Sequence, residues 1–172
     1  MKSILVSLLL LLSVTSIAET LQFQLGTEYE AYTLTGVNAP MFGDKEKQPI
    51  IFELHISPPY AKYCTLLGYT NGHYMSERAL VSLSSITCRS TEGSVYTGKV
   101  DGFVTDLDKI AGIKGDVVGN VEKLKATMNQ LKNSGNTAAQ NMDILKSVSP
   151  IISIAAKKDV IIFFTESFQV SY

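Results

Sequence analysis

The chain has no tryptophan and, among 172 residues, only two histidines, two cysteines and five prolines. The scarcity of histidine and cysteine and the near-balanced charge each exclude a class of function. His55 and His73 stand apart from each other and from the cysteines, with no spacing that suits a metal, and read as strand or turn residues. A formal net charge of −1 leaves no basic face, so direct nucleic-acid binding is not expected. No apolar run approaches the ~20 residues that span a bilayer as a helix. Asp106 and Asp108 resemble the start of a calcium loop, but Ile110 and Ala111 stand where a ligand and the turn glycine belong. There is no G-x-S-x-G elbow and no phosphate loop, and Gly98, Gly102, Gly112 and Gly115 are too loosely spaced to cradle a phosphate. Glu77-Arg78 fits a surface or inter-strand ion pair better than an acid–base site. No catalytic residue, metal or cofactor is expected from these positions, and the chain reads as a non-enzyme.

What is present begins with an export signal. Lys2 is followed by an apolar stretch from Ile4 to Leu12 broken only by Ser7, and Ser16-Ile17-Ala18 offers small residues where a signal peptidase reads. The expectation is a signal peptide over 1–18 cut after Ala18, with an uncleaved anchor as the alternative. Removing Lys2 leaves fourteen basic and sixteen acidic residues, a mature charge of −2. Export makes Cys64 and Cys88 interpretable: an oxidising compartment favours joining a lone pair in a disulfide, two buried free thiols being the alternative.

The remainder, 19–172, is read as one domain of mainly β structure, a barrel or sandwich. Leu21, Phe23 and Leu25 alternate, as do Ile50, Phe52, Leu54 and Ile56 before Pro58-Pro59. Further strands are expected at Lys62–Tyr69, Ala79–Cys88, Ser94–Thr105 and Asp159–Phe164, with Asn71-Gly72 as a turn between two of them. Between late strands, about 117–148, the period changes. Val117, Val121, Leu124, Met128 and Leu131 recur at helical spacing, Ser134-Gly135-Asn136 interrupts, and Ala138, Met142, Leu145 and Val148 repeat it before Pro150. This is an inserted αα-hairpin with polar outer faces, and its pattern alone fits a helical pair laid on the sheet.

Four stretches, taken together and in order, resemble the C-terminal domain of the TraB/TrbI family of conjugal-transfer proteins. They are Tyr32 to Pro40 (YTLTGVNAP), the run from Cys64 through Ser76-Glu77-Arg78-Ala79 to Cys88, Val100 to Val118 (VDGFVTD followed by GIKGDVV), and Val160 to Phe168 ending FTESF. The resemblance covers Leu21 to Tyr172. It implies a β-domain that packs beside copies of itself in a homo-oligomeric ring, within the outer-membrane core complex of a type IV secretion machine. The implied partners are other core subunits, one of them a lipoprotein, and the implied location is the periplasm, associated with the outer membrane. It also implies that the hairpin forms antennae that touch the outer membrane, while its narrow apolar stripe, with Val121, Leu124, Met128, Leu131, Met142 and Leu145, suits packing between subunits. The family's cytoplasmic tail, inner-membrane helix and proline-rich arm have no counterpart in the sequence, and the hairpin is polar and short for a lipid-facing span. The competing expectation is a periplasmic accessory or binding module that uses the same fold outside any ring.

Overall fold

The computed structural model describes residues 20–41, 47–56, 61, 63–73 and 75–171. The expected signal peptide and its cleavage at Ala18 lie outside these residues, as does Pro58-Pro59. The described chain is mainly β, as the alternating apolar pattern predicts. Its strands are β1 (Thr20–Phe23), β2 (Glu28–Thr33), β3 (Val37–Pro40), β4 (Gln48–Leu54), β5 (Tyr63–His73), β6 (Arg78–Arg89), β7 (Val95–Lys99) and β8 (Gly102–Thr105). They continue as β9 (Ile113–Lys114), β10 (Asp116–Val118), β11 (Ile151–Ile154), β12 (Asp159–Phe164) and β13 (Phe168–Ser171), with helices α1 (Val121–Leu131) and α2 (Ala138–Val148) between β10 and β11.

Six strands close on themselves in the antiparallel order β5-β4-β2-β12-β8-β6, and β6 pairs back to β5. Closure removes most of the edges that an open sheet would leave unpaired. The alternation in sequence becomes an inside and an outside. Ile50, Phe52 and Leu54 of β4, Leu66 of β5, Ile86 of β6, Val104 of β8 and Val160, Ile162 and Phe164 of β12 are buried in one core. A two-stranded ribbon, β1 with β13, seals this core with an aromatic cluster. Phe23 stacks on Phe168 at 4.7 Å between ring centroids and meets Phe164 edge-on at 5.2 Å, with Tyr29 tilted against Phe23 and Phe164.

β6 is the longest strand, and its two sides behave differently. One side pairs with β5 along its whole length, through a register shift at Leu67/Gly68. The other is shared in turn by β9 at Arg78 and Ala79, β8 at Ser82, and β7 from Ser85 to Arg89. The continuous strand expected over Ser94–Thr105 is therefore two strands, because the chain leaves β6 after Lys99 and joins β12 from Gly102 onward. Cys64 and Cys88 are directly opposite across β5 and β6, fully buried, and joined as a disulfide with Cα atoms 4.0 Å apart.

The turn expected at Asn71-Gly72 is not there. β5 runs straight through it, with Asn71 opposite Leu80 and Gly72 opposite Ala79, and the chain reverses only at 75–77, where Glu77 N–H donates to the His73 carbonyl. Gly72 serves a different need. A Cβ there would stand 2.9 Å from the backbone oxygens of Ala39 and Pro40, so the glycine lets β3 cross closely over β5.

The YTLTGVNAP stretch explains itself in the same physical terms. The fully buried Thr33 hydroxyl donates to the Ala155 carbonyl and accepts from Lys158 N–H, while the Thr33 carbonyl accepts from Lys157 N–H. Thr35 accepts from Ile51 N–H, and Gly36 passes so close to the Ile154 carbonyl that a Cβ would sit 3.0 Å away. Val37 to Pro40 then pair with β11. The residues that carry this part of the resemblance are thus ones the fold itself demands, joining β2, β3, β4, β11 and β12.

Candidate functional site

The helical insertion grows from the end of a ribbon. β10 and β11 pair from Asp116↔Ser153 to Val118↔Ile151, and β3 lines the other side of β11. The helical pattern read from Val117 onward starts later than expected, since Val117 belongs to β10 and α1 opens at Val121. Asn120 sets that boundary: in extended conformation, its side chain accepts from Lys123 N–H at 2.9 Å as a helix N-cap. At the second helix, Thr137 and Gln140 form a reciprocal capping box, the Gln140 side chain accepting from Thr137 N–H at 2.9 Å. Each helix has 11 residues, about 16 Å at the usual rise.

The six hairpin residues expected to pack do not behave alike. Leu124 is fully buried and Leu145 nearly so, each the one buried residue of its helix. Val121, Met128 and Leu131 are half-buried, while Met142 is 40% exposed and Ile144, outside the expected stripe, is 38% exposed. Two helices sharing one narrow seam can enclose little more than one side chain each. Neither Leu124 nor Leu145 belongs to the barrel core, although Val121 at the base of α1 packs against it. The arrangement differs from a helical pair laid flat on a sheet, which would bury a broad stripe into that core. Ser134 ties the far end, its hydroxyl 2.9 Å from the Leu131 carbonyl and 3.3 Å from the Asn141 side-chain oxygen. No helix among the described residues is long and apolar enough to cross a membrane, which says nothing of strands.

A second feature was not legible in the sequence. The loop 106–112 lies across the outside of the barrel, fastened at three points. Arg78, buried on β6, forks onto Asp108 and also donates to the Gly112 carbonyl at 3.2 Å. Lys158 pairs with Asp106 at 3.1 Å, and Lys109, in left-handed conformation, pairs with Glu28 at 2.7 Å. Arg78 thus pairs with Asp108, 30 residues away, and not with its neighbour Glu77. Asp106 and Asp108 each also accept from backbone N–H groups, of Leu107 and Lys114 and of Ile110 respectively. The aspartates that looked like a calcium loop anchor a strap. Leu107 and Ile110 stand outward on it, 60% and 54% exposed.

The strap makes a pH prediction. Partial burial pushes the Asp106 carboxyl upward, but hydrogen bonds from Lys158, Leu107 and Lys114 outweigh it and hold the group below its usual range. Hydrogen bonding from Arg78 and from Ile110 N–H does the same for Asp108. A depressed folded pKa gives stability that is present above the unfolded value of about 3.9 and is lost as pH falls through the folded one. Asp106→Asn and Asp108→Asn are therefore expected to lower the unfolding midpoint at neutral pH, with the gap to the parent closing below about pH 4. Denaturant unfolding between pH 7 and 2.5 checks this. A gap that does not depend on pH would point to lost packing and not to the charges.

The remaining sequence candidates stay dispersed. His55 Nδ1 lies 3.8 Å from Glu30 and its ring 5.4 Å from that of Tyr32, while His73 Nδ1 lies 2.9 Å from the Ser76 hydroxyl. Tyr32 has its phenol pushed up by the hydrogen bond to Glu53. Among the described residues no group of three or more His, Cys, Asp or Glu is placed to hold a metal ion. No family model matches this sequence, and no curated protein does either. Among solved structures, the chain is similar to ComB10 of the Com type IV secretion system of Helicobacter pylori. The identity is 13% and the TM-score 0.43, over 85% of this chain and 88% of that one. An open cleft beside the β1–β13 ribbon is lined, among the described residues, by Gln22 to Leu25 and Ser167 to Gln169, none of them titratable.

Proposed function

We propose that the chain is a structural subunit of a type IV secretion or conjugation outer-membrane core complex, assembling with copies of itself and with other envelope subunits around a conduit for DNA or protein. The observation that carries the reading is the helical insertion. It stands between β10 and β11, where the sequence resemblance calls for one. It buries a single residue per helix, and holds Met142 and Ile144 in the open. Helices this short are marginal when alone, so a hairpin kept for a purpose is one that gains its contacts from neighbours. Subunit packing through Val121, Met128, Leu131 and Met142 follows, with Leu124 and Leu145 closing the seam between the two helices. Contact with the outer membrane is then a property of the assembled ring and not of one ~16 Å hairpin, which falls short of the ~30 Å hydrocarbon core.

The test is fractionation of the tagged, full-length chain expressed with its genomic neighbours. The ring reading expects a mature N-terminus at Glu19, recovery with outer membranes, and a detergent-stable particle holding many copies together with a lipoprotein. Recovery as a periplasmic monomer, with the neighbouring gene products present, would favour the accessory module instead.

A further inference from the structure

The barrel closes six strands but, among the described residues, leaves β7 with a neighbour on one side only, at the end of its sheet. The reason is geometric. β12 ends at Phe164 opposite Gly102, Thr165 N–H makes a last bond to the Asp101 carbonyl, and the chain then turns away to β13. No strand of the described residues takes the place beside β7, where β12 would have continued. Hydrogen-bond parity says which groups face it. Val100 N–H donates to the Ser84 carbonyl and Ser90 N–H to the Ser94 carbonyl, so in this antiparallel pair the even-numbered residues of β7 bond to β6. The N–H and C=O groups of Val95, Thr97 and Lys99 therefore point outward. Their side chains share the barrel's outer face with Ser85, Thr87 and Arg89, and Thr97 meets Thr87 at 3.2 Å.

The edge is also held stiff. One row of opposed residues, Leu54, Cys64, Cys88 and Tyr96, crosses β4, β5, β6 and β7, with the disulfide at its middle. Tyr96 packs on the barrel core at the end of that row. A free edge on a stapled platform presents its hydrogen-bonding groups already ordered, which lowers the cost of adding a strand. Among the described residues Lys99 has no ion pair, and it stands at the end of the row Val95–Thr97–Lys99.

We infer that β7 is a strand-addition site: it takes an extended segment of a partner protein, paired through the backbone of Val95, Thr97 and Lys99, with a carboxylate level with Lys99. This goes beyond the assembly role and does not depend on it.

The probe is a capped peptide of alternating threonine and valine bearing one glutamate, with a lysine-for-glutamate peptide as control, added to the folded, disulfide-intact chain. At about four times its dissociation constant the glutamate peptide should slow exchange of the Val95, Thr97 and Lys99 amides about fivefold. The lysine peptide should protect them less. Thr97→Pro removes an outward N–H without touching the ladder to β6, so this variant should keep the parent's unfolding midpoint and lose the protection. No protection at millimolar peptide overturns the inference, as does protection falling on β1 or β10, or undiminished protection in Thr97→Pro. Concentration-dependent protection without peptide would make the occupant a second copy and would equally overturn it.

Discussion

The Cys64→Ala, Cys88→Ala double variant should unfold with about 3.5 kcal/mol less stability than the oxidised chain, a fall of roughly 7–14 °C in the midpoint. The magnitude follows from a bridge between residues 24 apart, whose loss frees that loop in the unfolded chain. Position matters as much as loop length. The bridge lies in the row that carries β7, so its loss should loosen β7 before it loosens β2 or β12, and amide exchange of Tyr96 and Gly98 should accelerate first. Both sulfur-bearing residues are fully buried, so a reductant should act on the native protein only as fast as the barrel opens. Two alkylatable thiols in native exported material, or an unchanged midpoint in the double variant, would show that the pairing contributes nothing.

Leu124→Asp should melt the helical hairpin and leave the barrel folded. Leu124 is the fully enclosed residue of the seam, and truncating such a leucine alone costs about 2–5 kcal/mol. A carboxylate there adds a buried charge without a partner. Two 11-residue helices have little in reserve against a loss of that size. The barrel has no share in the damage, because β10 and β11 pair independently of what lies between them and Leu124 is outside the barrel core. Circular dichroism should lose its helical component while the main thermal transition stays within a few degrees of the parent. On the proposed ring reading, the same variant should also fail to assemble. Leu131→Asp, at a half-buried position, should show a weaker form of both effects. Loss of the main transition in Leu124→Asp would mean that hairpin and barrel fold as one unit, contrary to the core contacts seen.

Period and punctuation carried most of the fold. The alternation of Ile50, Phe52 and Leu54 names a buried face directly, and the change to helical spacing after Val117 marks the insertion to within four residues. Two kinds of information were not local and could not be read in advance. One is which strand pairs with which: the split of Ser94–Thr105 into β7 and β8 depends on β12 ending at Phe164, some sixty residues later. The other is what a small or charged residue is for. Asn71-Gly72 has the chemistry of a hairpin turn, yet Gly72 is there because β3 passes over it. Asp106 and Asp108 have the chemistry of a cation loop, yet their cations are side chains, Arg78 and Lys158. At the candidate site the sequence located the helices but not their exposure. A periodic stripe says which residues share a side, not whether anything covers it, and Met142 and Leu145 share a stripe with opposite burial.

The placement of the hairpin also bears on how such a protein can change over generations. Because Val118 and Ile151 face each other as paired neighbours, everything from Gly119 to Pro150 occupies the position of an ordinary hairpin turn. Lengthening or shortening what lies between them alters a closed loop whose entropic cost rises only with the logarithm of its length, about 0.6 kcal/mol for each doubling. The reach of the projection is therefore nearly free to drift, while the barrel beneath keeps its register, and lineages needing a taller or shorter structure can obtain one without redesigning the scaffold.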